Sequence, residues 1–170
     1  MNPSLLFFLF GCVTKFVVQK SPDCENYNRN YFRNLSLSLK NAEVNFDVDL
    51  ISPLVSGVRI NLDFFTRKPN SKTYQSFYQY SFDMCTMMNN HKNNLFKRWF
   101  SSFFSYGNLK AQCPVPANHY YIRKYNINDL VIPTFLFSGF YRLTFNIFEN
   151  KNQGRNKDLI VSCSVEVEIK

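Results

Sequence analysis

Residues 159–169 read LIVSCSVEVEI, and the fold turns on how they are read. Leu159, Val161, Cys163, Val165, Val167 and Ile169 share one face of an extended chain; Ile160, Ser162, Ser164, Glu166 and Glu168 share the other. Successive side chains of a strand point to opposite faces, so this is a strand with one dry side and one wet side. The same period recurs upstream. It runs through Leu35, Leu37 and Leu39, then in opposite parity through Val44, Phe46, Val48 and Leu50. It returns at Val58, Ile60, Leu62 and Phe64, at Tyr78, Tyr80 and Phe82, and at Tyr141, Leu143, Phe145 and Ile147. The change of parity after Leu39 demands a turn or bulge at KNAE, residues 40–43. RKPNSK (67–72) and ENKNQGRNK (149–157) read as polar turns. Short alternating strands separated by turns predict an all-β, antiparallel sandwich, one domain spanning residues 15–170.

One segment breaks the period. Across 84–104, Met84, Met88, Leu95, Trp99 and Phe103 recur at helical spacing, with Phe96, Phe100 and Phe104 beside them. This predicts a helix with a wide apolar arc, closed by Gly107-Asn108 as a left-handed C-terminal pair.

The start, MNPSLLFFLFGCV, is a short apolar run of the secretory-signal kind, far below the ~20 residues of a membrane span. Residues 1–14 are expected to be a signal peptide, with cleavage between 14 and 20, and the mature chain to be extracellular. Removing it takes away Cys12 and leaves Cys24, Cys85, Cys113 and Cys163, an even number that suggests two disulfides and allows three pairings. Asn34-Leu35-Ser36 is a glycosylation sequon.

Net charge is +8, but the basic residues are scattered. No basic stripe of the nucleic-acid-binding kind is present; a solvated basic surface is the expected reading, with attraction to an anionic membrane surface or lipid headgroup as the functional alternative. Cys85 and His91 are six residues apart, about 240° out of phase on a helix, so they do not form a nucleophile and base. Two cysteines and two histidines, each pair 28 apart, match no zinc spacing. No phosphate loop, nucleophile elbow or paired-carboxylate signature appears. A non-enzymatic protein without cofactor or metal is expected.

Phe82-Asp83-Met84-Cys85, then Tyr106-Gly107-Asn108-Leu109 and Cys113-Pro114, form a recognisable block. VDLISP (48–53), RKPNSKTYQSF (67–77), Pro133 and SGFYRL (138–143) fit the same template. Over roughly residues 15–150 the chain resembles a large insect family of small secreted proteins that carry a domain of unknown function. That family is similar to the ML (lipid-recognition) superfamily, with ganglioside-activator-like and Che-type chemosensory relatives. Two departures stand out: Thr73 where relatives often have glycine, and no cysteine near Asn34. With the secretory start and the even count, the block implies Cys85–Cys113. Elimination and the inward parity of Cys163 then give Cys24–Cys163.

The resemblance implies an immunoglobulin-like β-sandwich whose sheets splay to admit a lipid chain. Nineteen phenylalanines suit such a pocket, since aromatic and Met side chains offer large, adaptable apolar area. The expected function is binding of a lipid or small hydrophobic ligand, in a chemosensory setting. Expected lining residues are Phe46, Val48, Phe82, Leu95, Trp99, Phe103, Tyr141 and Phe145, with Lys97 or Arg98 at the mouth for an anionic headgroup. The 84–104 helix is expected either to act as a lid, with Trp99 and Phe103 facing the space between the sheets, or to pack as a plain core helix. The alternative is a secreted protein-interaction or accessory factor, with a membrane receptor among its partners and a closed core. An apolar cavity of ~300 Å³ or more favours the first reading; a sandwich packed to normal density favours the second.

Overall fold

The computed structural model describes residues 15–89, 101–130, 136–151 and 156–170. The signal-peptide reading of 1–14 and residues His91, Leu95, Lys97, Arg98 and Trp99 lie outside the described residues. Among the described residues, eight strands build two antiparallel sheets. The strands are β1 (Phe16–Tyr27), β2 (Phe32–Lys40), β3 (Glu43–Leu50), β4 (Val58–Arg67), β5 (Gln75–Asp83), β6 (Asn118–Asn126), β7 (Gly139–Lys151) and β8 (Asn156–Ile169), with a short helix α1 (Met84–Asn89) after β5. The larger sheet has the order β1-β8-β7-β4-β5 and the smaller β2-β3-β6. This is the all-β sandwich that the alternation predicts.

The third of the legible strands, β4, sits where its period places it. On β4, Val58, Ile60, Leu62 and Phe64 are buried, while Arg59, Asn61 and Asp63 between them are half-buried. Register carries the dry face across the larger sheet: Leu62 lies opposite Phe145, and Phe145 opposite Cys163. Val48 and Leu50 of β3 and Tyr120 of β6 face them in the same core. A second, smaller cluster of Phe16, Tyr141, Val167 and Ile169 fills one end.

The parity change at 40–43 is a tight hairpin. Lys40 pairs with Glu43, and both loop residues, Asn41 (φ 51°) and Ala42 (φ 65°), are left-handed. That is the two-residue turn whose twist matches the flanking strands.

Two strands escape the sequence reading. β1 contains Pro22 and three register shifts against β8, so no clean alternation marks it. On β6, Tyr120 and Ile122 are buried, then a bulge at Lys124 (φ 50°) resets parity so that Tyr125 is buried next. The amide of Lys124 donates to the Asn45 side-chain oxygen at 3.0 Å, which holds the bulge.

Two expectations are corrected. Ile160, assigned to the wet face, is 0% exposed, whereas Leu159 is 39% exposed. β7 and β8 pair Ile147 with Val161 but Phe148 with Leu159, so Ile160 is the extra residue of a bulge that turns it inward. Gly107 is not a left-handed helix cap. It pairs with Ile122, and a Cβ there would overlap the Tyr121 carbonyl. The residue is glycine because segment 106–108 lies directly against β6: the Asn108 amide donates to the Tyr121 carbonyl at 3.3 Å and the Arg123 amide to the Tyr106 carbonyl at 2.9 Å.

Candidate functional site: an apolar space between the sheets

Among the described residues the four cysteines form Cys24–Cys163, with Cα atoms 4.2 Å apart, and Cys85–Cys113, with Cα atoms 5.2 Å apart. The first staples β1 to β8. The second ties α1 to the segment that leads into β6. Cys85 therefore carries no thiol. The remaining described histidine, His119, lies on the outer face of the smaller sheet, its Nδ1 2.6 Å from Asp49 Oδ1. That hydrogen bond holds the Asp49 carboxyl below its usual range.

α1 starts where it does because Asp83 caps it. Its Oδ1 accepts the Thr86 amide at 2.8 Å, and its Oδ2 accepts the Gly57 amide at 3.2 Å. Burial pushes the Asp83 carboxyl up, but the donors from Thr86 and Gly57, with Arg59 nearby, outweigh it and hold the group below its ordinary value. The cap fixes Met84, Met87 and Met88 over one opening of the sandwich.

Beneath them lies a cavity of about 210 Å³ with a wholly apolar wall. The larger sheet contributes Ile60, Phe145, Ile147, Val161 and Cys163; the smaller contributes Phe32, Leu35, Phe46, Val48, Leu50 and Tyr120. Leu54 and Val115, bonded to each other through both backbone amides at 2.9 Å, close one side. The three methionines, Phe104 and Leu109 complete the wall.

Of the expected lining residues, Phe46, Val48 and Phe145 meet in this cavity. Three others are placed elsewhere. Phe82 packs against the core beside Tyr80, ring centroids 5.4 Å apart, because β5 is an edge strand of the larger sheet and lies to the side of the space. Tyr141 belongs to the second cluster, at the end of the sandwich. Phe103 stacks on Tyr125, and its neighbour Phe104 lines the cavity instead, since adjacent helical residues point about 100° apart. Residues 84–89 and 101–104 of the expected helix are helical; 90–100 lie outside the described residues. Met84, Met88 and Phe104 were on the apolar arc of that segment, and Leu35 and Leu50 in the strand alternation; Met87 was not on that arc, and Leu54, between Pro53 and Val55, and Val115, between Pro114 and Pro116, belong to no alternating run and gave no signal.

A larger but shallow groove of about 580 Å³ runs beside the Cys85–Cys113 disulfide, lined by Val55, Ser56, Asp83, Thr86, Asn89 and Pro114. It is open to solvent and of mixed polarity. Asn34, the sequon asparagine, is exposed on β2, its amide donating to Asp49 Oδ2 at 3.3 Å.

Together these features define a disulfide-stapled antiparallel β-sandwich with an apolar space between its sheets. Residues 60–143, from β4 through both halves of the Cys85–Cys113 block to the start of β7, match the family model described as "Protein of unknown function (DUF1091)". The match supports a place in that domain-of-unknown-function family and is narrower than the 15–150 resemblance. No curated protein matches the chain. Among the described residues, no helix is long and apolar enough to cross a membrane.

Proposed function

We propose that this protein is an extracellular, non-enzymatic binding module that takes a small hydrophobic guest, or a single lipid chain, into the space between its sheets, in a chemosensory setting. The observation that carries the reading is the apolar cavity walled by both sheets and covered by Met84, Met87 and Met88. Apolar protein cavities of ~150 Å³ stay dry and take up a benzene-sized molecule. A space of about 210 Å³ is therefore suited to a short chain or a single ring. Each methylene buried there contributes about 0.8 kcal/mol, so affinity comes from burial with no charged partner. Methionines at the opening suit entry, because their side chains rearrange at low cost. Two disulfides favour an oxidising, extracellular setting. Placement within the lipid-recognition superfamily is part of this proposal; a two-sheet sandwich with space between its layers supports it.

The size of the cavity favours a second reading. It is smaller than the ~300 Å³ at which ordinary ligand pockets begin, as a closed-core interaction module would have it. Native mass spectrometry of the protein secreted from its own cells separates the two. A co-purified apolar mass that leaves on denaturation supports the binding module. A bare protein mass, with Val48→Phe raising the melting temperature by filling the void and no probe taken up by the wild-type chain, supports the closed core.

A further inference from the structure

The end of the sandwich away from α1 has a different character. Here Arg67 lies opposite Phe140, Gly139 opposite Ile169, and Ile169 opposite Phe16, so the β4–β5 hairpin and the ends of β1, β7 and β8 converge. Tyr141 is buried at this end. Over it stand Phe77 and Phe137, with ring centroids 6.1 and 6.3 Å from Tyr141 and 5.8 Å from each other. Phe77 is the extra residue of a bulge, since Phe64 pairs with Tyr78 and Phe65 with Ser76. Both rings are in water: Phe77 is 37% exposed and Phe137 61%.

The charge around this pair is positive. Lys68 and Lys72 stand exposed in the hairpin and Lys15 at the start of β1, and none forms a salt bridge among the described residues. Arg67 is held over the Phe140 ring at 4.1 Å. The carboxylates here are Asp129, Glu168, which lies 3.6 Å from the Lys170 ammonium, and Glu166, which is bonded by Arg142 and Tyr74.

We propose that this tip docks on an anionic lipid bilayer, with Phe77 and Phe137 entering the interfacial layer and Lys15, Lys68 and Lys72 standing over the headgroups. Charge complementarity selects the occupant: aromatic rings seat at the membrane interface, and lysines beside them are attracted by an anionic leaflet. Area argues against a protein. With ~150–250 Å² per ring when fully buried, the exposed part of the pair is on the order of 200 Å², whereas a stable protein interface needs ~800 Å² from each partner. The proposal is independent of the cavity reading, because vesicle binding is measured without any guest.

The test is co-sedimentation of the purified protein with vesicles of phosphatidylcholine alone and of a three-to-one mixture of phosphatidylcholine and phosphatidylserine. Binding to the mixed vesicles, weakened by salt and much weaker on phosphatidylcholine, is expected. At about fivefold per lysine charge, Lys68→Glu with Lys72→Glu lowers partitioning by at least roughly 25-fold. Phe137→Ser lowers it as well, with an unchanged melting curve; should that variant not fold, the lysine pair on its exposed hairpin carries the test. Equal binding to both vesicles, no binding, or binding indifferent to the substitutions overturns the proposal. So does a dimer, seen by analytical ultracentrifugation, that Phe137→Ser abolishes without any vesicle binding by the wild-type chain; the tip would then face a second copy.

Discussion

Phe103 lies nearly flat on Tyr125, their ring centroids 4.3 Å apart and their planes 25° apart. One residue back, the Ser102 hydroxyl is 2.9 Å from the Tyr125 hydroxyl, so a helical turn is clamped to β6 by a ring and a hydrogen bond. Stacking adds ~0.5–1.5 kcal/mol to the burial of such a ring.

Phe103 and Phe104 therefore separate stability from binding. Phe103→Ala is expected to cost about 2 kcal/mol, less than for a fully buried ring, and to leave uptake of an apolar probe unchanged. Phe104→Ala opens the cavity wall and is expected to change which probes are retained. Urea melts and probe binding on the two variants check the pair.

Gly107→Ala tests the close approach to β6. The added methyl meets the Tyr121 carbonyl, so either segment 106–108 or the strand must move. A loss of about 1–3 kcal/mol is expected, as for other overpacked sites, with faster amide exchange at Asn108 and Arg123. Unchanged exchange at those two amides would show that the segment is not held as described.

Ala42→Gly goes the other way. Alanine at φ 65° pays the left-handed penalty of ~1–2 kcal/mol, which exceeds the added chain entropy of glycine, ~0.5–1 kcal/mol. A gain of up to about 1 kcal/mol in thermal or urea unfolding is the expected result.

Asp83 gives α1 a pH dependence. Its carboxyl is held below the ordinary value of 3.8, so the charged form is favoured by folding. The contribution is fully present above that ordinary value and is lost as pH falls through the lower folded value. Asp83→Asn keeps an acceptor for Thr86 and is expected to flatten the acid limb of the stability curve. Asp83→Ala removes the cap and is expected to cost about 1 kcal/mol at neutral pH.

The disulfides differ in reach. Residues 24 and 163 are separated by 139 positions and residues 85 and 113 by 28. Loop entropy gives ~5 kcal/mol for the first and ~3–4 kcal/mol for the second. Paired serine substitutions, melted side by side, should rank in that order.

The strands were legible where one face is dry. β4 from Val58 to Phe64 and β7 from Tyr141 to Ile147 show the period, and so their register fixed Phe145 in the space between the sheets. Phe46 and Val48 were legible for the same reason. Bulges hid the rest. Ile160 and Tyr125 are buried because an extra residue shifts the period, which no alternation count detects. Tyrosines on both faces of β6, with Tyr121 exposed and Tyr120 buried, left that strand without a pattern. Phe82 and Tyr141 were read as lining because period sets a face but not a position along or across the sheet.

The order of strands in the larger sheet also sets a timetable. β1 is at the edge and pairs with β8, so its ladder and Cys24 wait for residues more than a hundred positions downstream. During synthesis Cys85 and Cys113 emerge before Cys163, and Cys24 spends that interval beside the wrong thiols. Such distant pairing is intrinsically slow and exposes strands while it waits. A bond closed early at Cys24 must be exchanged before the native pair can form, so the yield of native protein is expected to track thiol exchange more closely than the stability of the finished sandwich.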